Sequence, residues 1–186
     1  MEPDRRKWNA KYRAMGGDEA PAVIVTRFAG MAKKGGRALD LAAGQGRHAL
    51  YLSGLGFAVD AVDISEVGLD RIKDGAARVR AIQADLDNYE IKARTYDLII
   101  NINFLQRRLF PLIIEGLKPG GVLIFETFME GGAPTRGRPA RRDFLLRPNE
   151  LLRAFLPLHI LYYREQPNDP PYKASHVASL VGRKMR

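Results

Sequence analysis

The stretch LDLAAGQGRHALYL, residues 39–52, carries an apolar, strand-like segment into a glycine turn and then into a helix-compatible run. Gly44, Gly46 and Ala49 stand at G-x-G-x-x-A spacing, at which a backbone turns tightly after a strand and approaches a bound ligand closely. By spacing alone the loop fits NAD as well as any other nucleoside ligand. The flanking residues are more specific. Asp40, four residues before Gly44, places an acid inside the strand, where a dinucleotide-binding strand is apolar. Arg47 and His48 open the following helix with bulky polar side chains where a pyrophosphate would need close contact.

Working outward, runs rich in β-branched residues recur at 37–43, 57–64, 79–85, 96–103 and 120–128, each bounded by Gly, Asp or Pro. Helix-compatible stretches at 46–54, 65–74 and 107–117 lie between them, the second opened by Ser65 as N-cap with Glu66 in the first turn. Strands alternating with helices predict a parallel, doubly wound sheet with right-handed crossovers. Beyond it, a helix over 148–155 precedes runs at 158–165 and 176–183, joined by the proline-rich QPNDPPYKAS, and these pair as an antiparallel hairpin. Lys118-Pro119-Gly120-Gly121 is read as the turn that ends one helix and enters the fifth strand. Near the start, Ile24, Phe28 and Met31 at i, i+4, i+7 predict a helix over 21–31 that packs on the sheet. The expected fold is α/β: a Rossmann-like seven-stranded sheet of five parallel units closed by an antiparallel C-terminal hairpin. It forms a single domain, 1–186, with 1–33 as an N-terminal helical cap segment and 36–186 as the core.

Composition narrows the chemistry. Apolar residues at 46% and charged residues at 27% are a globular mix. The absence of cysteine excludes disulfides, thiolate metal sites and a cysteine nucleophile. His48, His159 and His176 lie far apart, so no metal is expected. A formal charge of +9 favours anionic partners, RNA among them. No apolar run approaches the ~20 residues that cross a bilayer, and MEPDRRKWNAKYR is charged rather than signal-like, so the expectation is a cytoplasmic protein without a membrane partner.

In a doubly wound sheet the ligand lies beyond the carboxyl ends of the strands, at the point where strand order reverses. The loop with Gly44 and Gly46 follows the first strand, at that place. Asp63, at the end of the second strand, is spaced to accept hydrogen bonds from ribose hydroxyls. Asp85, in Gln83-Ala84-Asp85-Leu86 at the end of the third strand, stands where it accepts from an adenine amine or caps the segment that follows. Trp8 and Tyr12, one helical turn apart, share a face.

LDLAAGQGRHALYL, AVDISEVGLDRI, QADL, YDLIININF and LKPGGVLIFETF, in this order and spacing, together resemble the class I S-adenosylmethionine-dependent methyltransferases over residues 36–128. Within them, the G-Q-G-R continuation, the small size and the N-terminal W-x-x-x-Y resemble the tellurite-resistance-type enzymes. The resemblance implies S-adenosyl-L-methionine as cofactor. It implies that Asp40 orders the glycine loop and the methionine amino group, and that Ala42 and Gly44 offer backbone groups to the methionine. It further implies that Asp63 binds the ribose, Ile64 packs on adenine, Asp85 and Leu86 read the adenine edge, and Trp8 and Tyr12 fold over the cofactor. Arg47 is left facing the cofactor carboxylate, the acceptor or water. Asn103 and Phe104, after the fourth strand, are expected to line the methionine end and the acceptor pocket, with Arg107 a further acceptor-pocket candidate; no catalytic group is assigned. The loop 130–147, with Arg136, Arg138, Arg141, Arg142 and Arg147, either closes over an anionic substrate or is a solvated basic loop. A small-molecule or oxyanion acceptor is preferred. The alternatives are an RNA methyltransferase, a nucleotide-binding module without catalysis and an NAD-dependent oxidoreductase.

Overall fold

The computed structural model describes residues 2–16, 20–73, 77–132, 141–167 and 175–185. Seven strands, β1 (Arg37–Leu41), β2 (Ala58–Asp63), β3 (Val79–Gln83), β4 (Tyr96–Ile102), β5 (Leu117–Gly132), β6 (His159–Pro167) and β7 (Ser175–Arg183), form one sheet in the order β3-β2-β1-β4-β5-β7-β6. β1 to β5 pair in parallel, and β7 runs antiparallel between β5 and β6. The predicted parallel sheet with an antiparallel hairpin at its end is therefore what forms. Strand order reverses between β1 and β4, which puts the loop after β1 at the switch point of the sheet.

Among the described residues six α-helices accompany it: α1 (Glu2–Ala14), α2 (Val23–Phe28), α3 (Arg47–Gly54), α4 (Glu66–Lys73), α5 (Leu109–Gly116) and α6 (Glu150–Ala154). The central strands are apolar on both faces because both faces are covered. One face packs Leu39, Leu41, Ile99, Leu123 and Phe125 against Leu109, Phe110 and Ile113 of α5 and Leu151 and Phe155 beside α6. Phe110, Phe125 and Phe155 meet there with ring centroids 5.2 to 5.8 Å apart. The other face packs Ala38, Leu98, Ile100, Val122 and Ile124 under Ile24 and Val25 of α2, Ala49 and Leu52 of α3, and Leu69 and Ile72 of α4.

Two expectations are corrected. Lys118-Pro119-Gly120-Gly121 does not separate helix from strand: α5 ends at Gly116, Leu117 already pairs with Tyr96, and the prolyl-glycyl step is a register shift inside the start of β5. Gly120, at φ +82°, turns the strand there, and its N–H donates to Lys184 O (2.8 Å). The Lys184 ammonium in turn donates to the carbonyls of Ile114 (2.7 Å) and Leu117 (2.9 Å), capping the end of α5. The second correction concerns the helix expected over 21–31. The α-helix stops at Phe28 and continues as a 3-10 turn, Ala29–Met31, so Ala29 is buried in place of Met31, which is exposed. Phe28 still packs its ring on Tyr162, with centroids 5.0 Å apart.

At the amino ends of the strands, opposite the glycine loop, the buried Asp60 receives two donors from Arg37 (2.8 and 2.9 Å to Oδ2), one from Arg80 (2.9 Å) and the Tyr96 hydroxyl (2.9 Å). Arg37 N–H donates to Asp97, which also takes Lys118 (2.7 Å). This network ties β1, β2, β3, β4 and β5 together at the end remote from the glycine loop.

Gly116, at the helix-to-strand junction, has no room for a side chain: a Cβ there would lie 2.4 Å from Ile91 Cγ2 and 3.3 Å from Ile99 Cδ1. Gly116→Ala is expected to cost about 1 to 3 kcal/mol by overpacking. Urea unfolding checks this: Gly116→Ala/Ile91→Ala should recover part of the loss, and purely additive costs would contradict the packing account.

Candidate active site

The loop after β1 is shaped by backbone conformations that side chains resist. Ala42 (φ +56°), Gly44 (φ +56°) and Gly46 (φ +82°) are all left-handed. At Gly44 the reason lies on the ligand side: an added Cβ would stand 2.7 Å from the Tyr12 hydroxyl oxygen. At Gly46 it lies in the core, where a Cβ would stand 2.4 Å from Ile72 Cγ1 of α4. The two glycines thus do different work. Gly44 lets the Tyr12 side chain pack directly on the loop, and Gly46 allows α3 to pack closely on α4.

Asp63 fastens this loop to the end of β2. Its Oδ2 accepts the Gly44 N–H (2.8 Å) and its Oδ1 the Ser65 N–H (2.8 Å). Burial raises the Asp63 pKa, and the Ser65 and Gly44 N–H groups pull it back toward the ionised form. Ser65 is the N-cap of α4 as expected: its hydroxyl accepts from Gly68 N–H (3.1 Å) and donates to Asn9 Oδ1 (2.6 Å).

Asp40 lies beneath the loop, 1% exposed, and its Oδ2 has no hydrogen-bond partner. Burial pushes its pKa up to about 8, the neighbouring Asp63 adds to that, and Arg47 and the Ala49 N–H oppose it. His48 is also buried; its Nε2 accepts the Ala22 N–H (3.2 Å), and burial pushes its pKa down to about 3. Arg47 donates to the carbonyl of Ala20 (3.3 Å). The first turn of α3 therefore grips the chain that leads into α2.

α1 lies across the carboxyl ends of β1 and β2. Asn9 is buried and donates to Glu66 Oε1 (2.7 Å), Gln45 donates to Tyr12 O (3.2 Å) and Arg71 to Met15 O (3.0 Å). Trp8 stacks on Tyr12, with centroids 5.6 Å apart. The structure thus brings Tyr12, Asp40, Ala42, Gly44 and Asp63 to one place. Beside them is a cavity of about 240 Å³ lined by Glu2, Arg5, Ile64, Gln83, Ala84 and Asp85. Leu86 does not line it; it turns inward among Leu41, Val62 and Leu109. Asp85 Oδ1 accepts the Asp87 N–H (3.0 Å), the capping role read as its alternative, while the residue also borders the cavity.

On the other side of the loop, Asn103 is exposed at φ +59° and its N–H donates to Glu126 O (2.8 Å). Asn101 Nδ2 donates to Phe104 O (2.7 Å), which fixes the turn after β4. Arg107 is committed elsewhere, donating to both Glu150 carboxylate oxygens (2.6 and 3.0 Å) and to the carbonyls of Asp143 (2.7 Å) and Leu145 (3.0 Å). It clamps the return of the arginine-bearing loop to the start of α5. Of that loop, Arg136 and Arg138 lie outside the described residues; Arg141 pairs with Asp143, and both are exposed. Among the described residues no three His, Cys, Asp or Glu side chains group as metal ligands.

Sequence reasoning missed Arg5, Asn9, Gln45 and Gln83. A usable signal existed on α1: Arg5, Trp8, Asn9 and Tyr12 fall at i, i+3, i+4, i+7, one face of a helix, with a polar residue at its centre.

Residues 38–121 match the family model described as "Methyltransferase domain". Hemagglutinin 1 of Eikenella corrodens is 32% identical over 142 residues, covering 69% of this chain; the chain spans 46% of that relative's length. Among solved structures, an S-adenosylmethionine-dependent methyltransferase from Mesorhizobium loti superposes with a TM-score of 0.68 at 20% identity, over 87% of this chain and 98% of that one. TehB from Haemophilus influenzae superposes with a TM-score of 0.69 at 23% identity, over 97% of this chain and 66% of that one. At these identities the structural likeness is one of fold.

The two buried titrating groups give a pH signature. Asp40 in the folded chain keeps its proton to about pH 8, whereas the unfolded chain releases it near 3.8, so stability falls as pH rises between those values. His48 acts oppositely: the unfolded chain takes up a proton near 6.5 and the folded chain only near 3, so its effect is a loss of stability as pH falls below 6.5. Between pH 6.5 and 8 the Asp40 effect stands clear of the histidine. Urea titrations should show the wild type losing up to about 2 kcal/mol across that interval and Asp40→Asn staying nearly flat; equal slopes would contradict the assignment.

The glycine loop at the switch point, its fastening by Asp63 and the comparisons converge: residues 38–121 match a methyltransferase-domain model, and the chain has the fold of the S-adenosylmethionine-dependent methyltransferases on which it superposes.

Proposed function

We propose that this chain binds S-adenosylmethionine between the β1 loop, the ends of β2 and β3 and α1, and transfers its methyl group to a small anionic acceptor. The observation that carries the reading is the joint placement of the Gly44 turn, the Asp63 carboxylate and the cavity bordered by Ile64, Ala84 and Asp85 at one end of the sheet. The residues suit the group: Gly44 lets Tyr12 lie directly on the loop, Asp40 holds an oxygen beneath it without a hydrogen-bond partner, and the apolar Ile64 adjoins polar edges at Gln83 and Asp85.

In this assignment Asp63 holds the ribose, Ile64 packs on the adenine and Asp85 meets its edge. Gly44, Ala42 and Tyr12 surround the methionine part. The bound sulfonium supplies an already activated methyl group, so the protein's task is to align the acceptor and exclude water. Asn103 and Phe104 form the acceptor side, and Arg107 positions the neighbouring segment through Glu150. The charge of +9 and the cations of α1 favour an acceptor carrying negative charge. The same charge favours RNA as the second reading. The absence among the described residues of any helix long and apolar enough to cross a membrane accords with action in the cytoplasm.

Calorimetric titration tests the cofactor: S-adenosylhomocysteine should bind at micromolar level and NAD should not, and the reverse sinks the proposal. Asp63→Ala should weaken that binding by roughly 1 to 3 kcal/mol. Labelled methyl groups offered to a panel of carboxylates, inorganic oxyanions, neutral amines and RNA should appear on an anionic small molecule. Label on RNA, with an affinity that falls steeply with salt, would favour the second reading.

A further inference from the structure

The cavity beside the ends of β2 and β3 has walls from two sources. Ile64, Gln83, Ala84 and Asp85 belong to the sheet, whereas Glu2 and Arg5 come from the first turn of α1. It is a depression of about 240 Å³, largely open to solvent, with room for a ring system beside the first turn of α1. Arg5 is held at its edge by the docking of α1: Asn9, one turn further along the same face, is pinned by Ser65 and Glu66, and Tyr12, a turn beyond, rests against Gly44. Glu66 also receives Gln83 Nε2 (3.2 Å), so the helix face and the polar wall of the cavity are held by one carboxylate. The Arg5 guanidinium is itself held, by an ion pair with Glu2 across one turn of helix (2.7 Å).

Arg5 and the apolar side chain of Ile64 line the same cavity, and such a pair suits a flat aromatic base, since guanidinium groups stack on ring faces and an ammonium does not do so equivalently. We propose that Arg5 is the roof of the adenine pocket, stacking on the base from the side opposite Ile64, with Glu2 keeping its guanidinium in position. This rests on the proposed cofactor site and adds to it a specificity residue outside the methyltransferase-domain match of residues 38–121. The base then closes the site by joining α1 to the strand ends, which couples adenine recognition to the seating of Tyr12 over Gly44.

The test separates the base from the rest of the ligand. S-adenosylhomocysteine and 5′-methylthioadenosine, which lacks the methionine part, are titrated calorimetrically into the wild type, Arg5→Ala and Arg5→Lys. Arg5→Ala should raise the Kd of both ligands by a similar factor of about 3 to 10, and Arg5→Lys should restore less than half of that loss on a logarithmic scale. The side chain is partly exposed, so folding should survive both changes; unaltered far-ultraviolet circular dichroism checks this. Unchanged affinity for both ligands, a loss confined to S-adenosylhomocysteine, or full rescue by lysine overturns the roof assignment. Failure of the wild type to bind S-adenosylhomocysteine overturns instead the cofactor reading on which it rests.

Discussion

The site depends on one carboxylate reaching across two strands. Asp63 ends β2, yet its oxygens take the N–H of Gly44 after β1 and the N–H of Ser65 before α4. A turn with three left-handed residues is costly for the chain to hold by itself, and a buried acceptor with two charge-assisted hydrogen bonds fixes it. From that fastening the rest follows in sequence. Ser65 is set to cap α4 and bind Asn9, α4 is set against Gly46 through Ile72, and α1 is laid over the loop.

The sheet was readable because its strands are apolar on both faces and separated by helical stretches, a pattern local in sequence. The positions of Asp40, Gly44, Asp63 and Asp85 at the carboxyl ends of the strands were readable for a related reason: each stands at a fixed offset from a strand end. What could not be read depends on packing between distant segments. At Gly46 the approach of Ile72 adds a packing constraint from the core that the local sequence does not show. Leu86 adjoins Asp85 in sequence but is buried in the core, a packing that its turn after β3 does not announce. Arg107 carried no sign of its engagement with Glu150, 43 residues on. Pro119 read as a helix stop, yet Gly116, short of room beside Ile91, had already ended α5, and the proline was absorbed into a register shift.

Two layers of polar residues bracket the sheet. At the amino ends, Asp60 and Asp97 are paired with Arg37, Arg80 and Lys118, and that end is structural. At the carboxyl ends, Asp40 retains an oxygen without a partner.

The central claim is that S-adenosylmethionine occupies the space bounded by the Gly44 loop, Asp63 and α1. Hydrogen exchange read peptide by peptide by mass spectrometry, with and without S-adenosylhomocysteine, tests it most directly. The account predicts slowed exchange in 2–14, 42–48 and 63–68 together, with little change at the amino-end network around Asp60. Protection confined to other segments, or none in α1 and the Gly44 loop at saturating ligand, would contradict it.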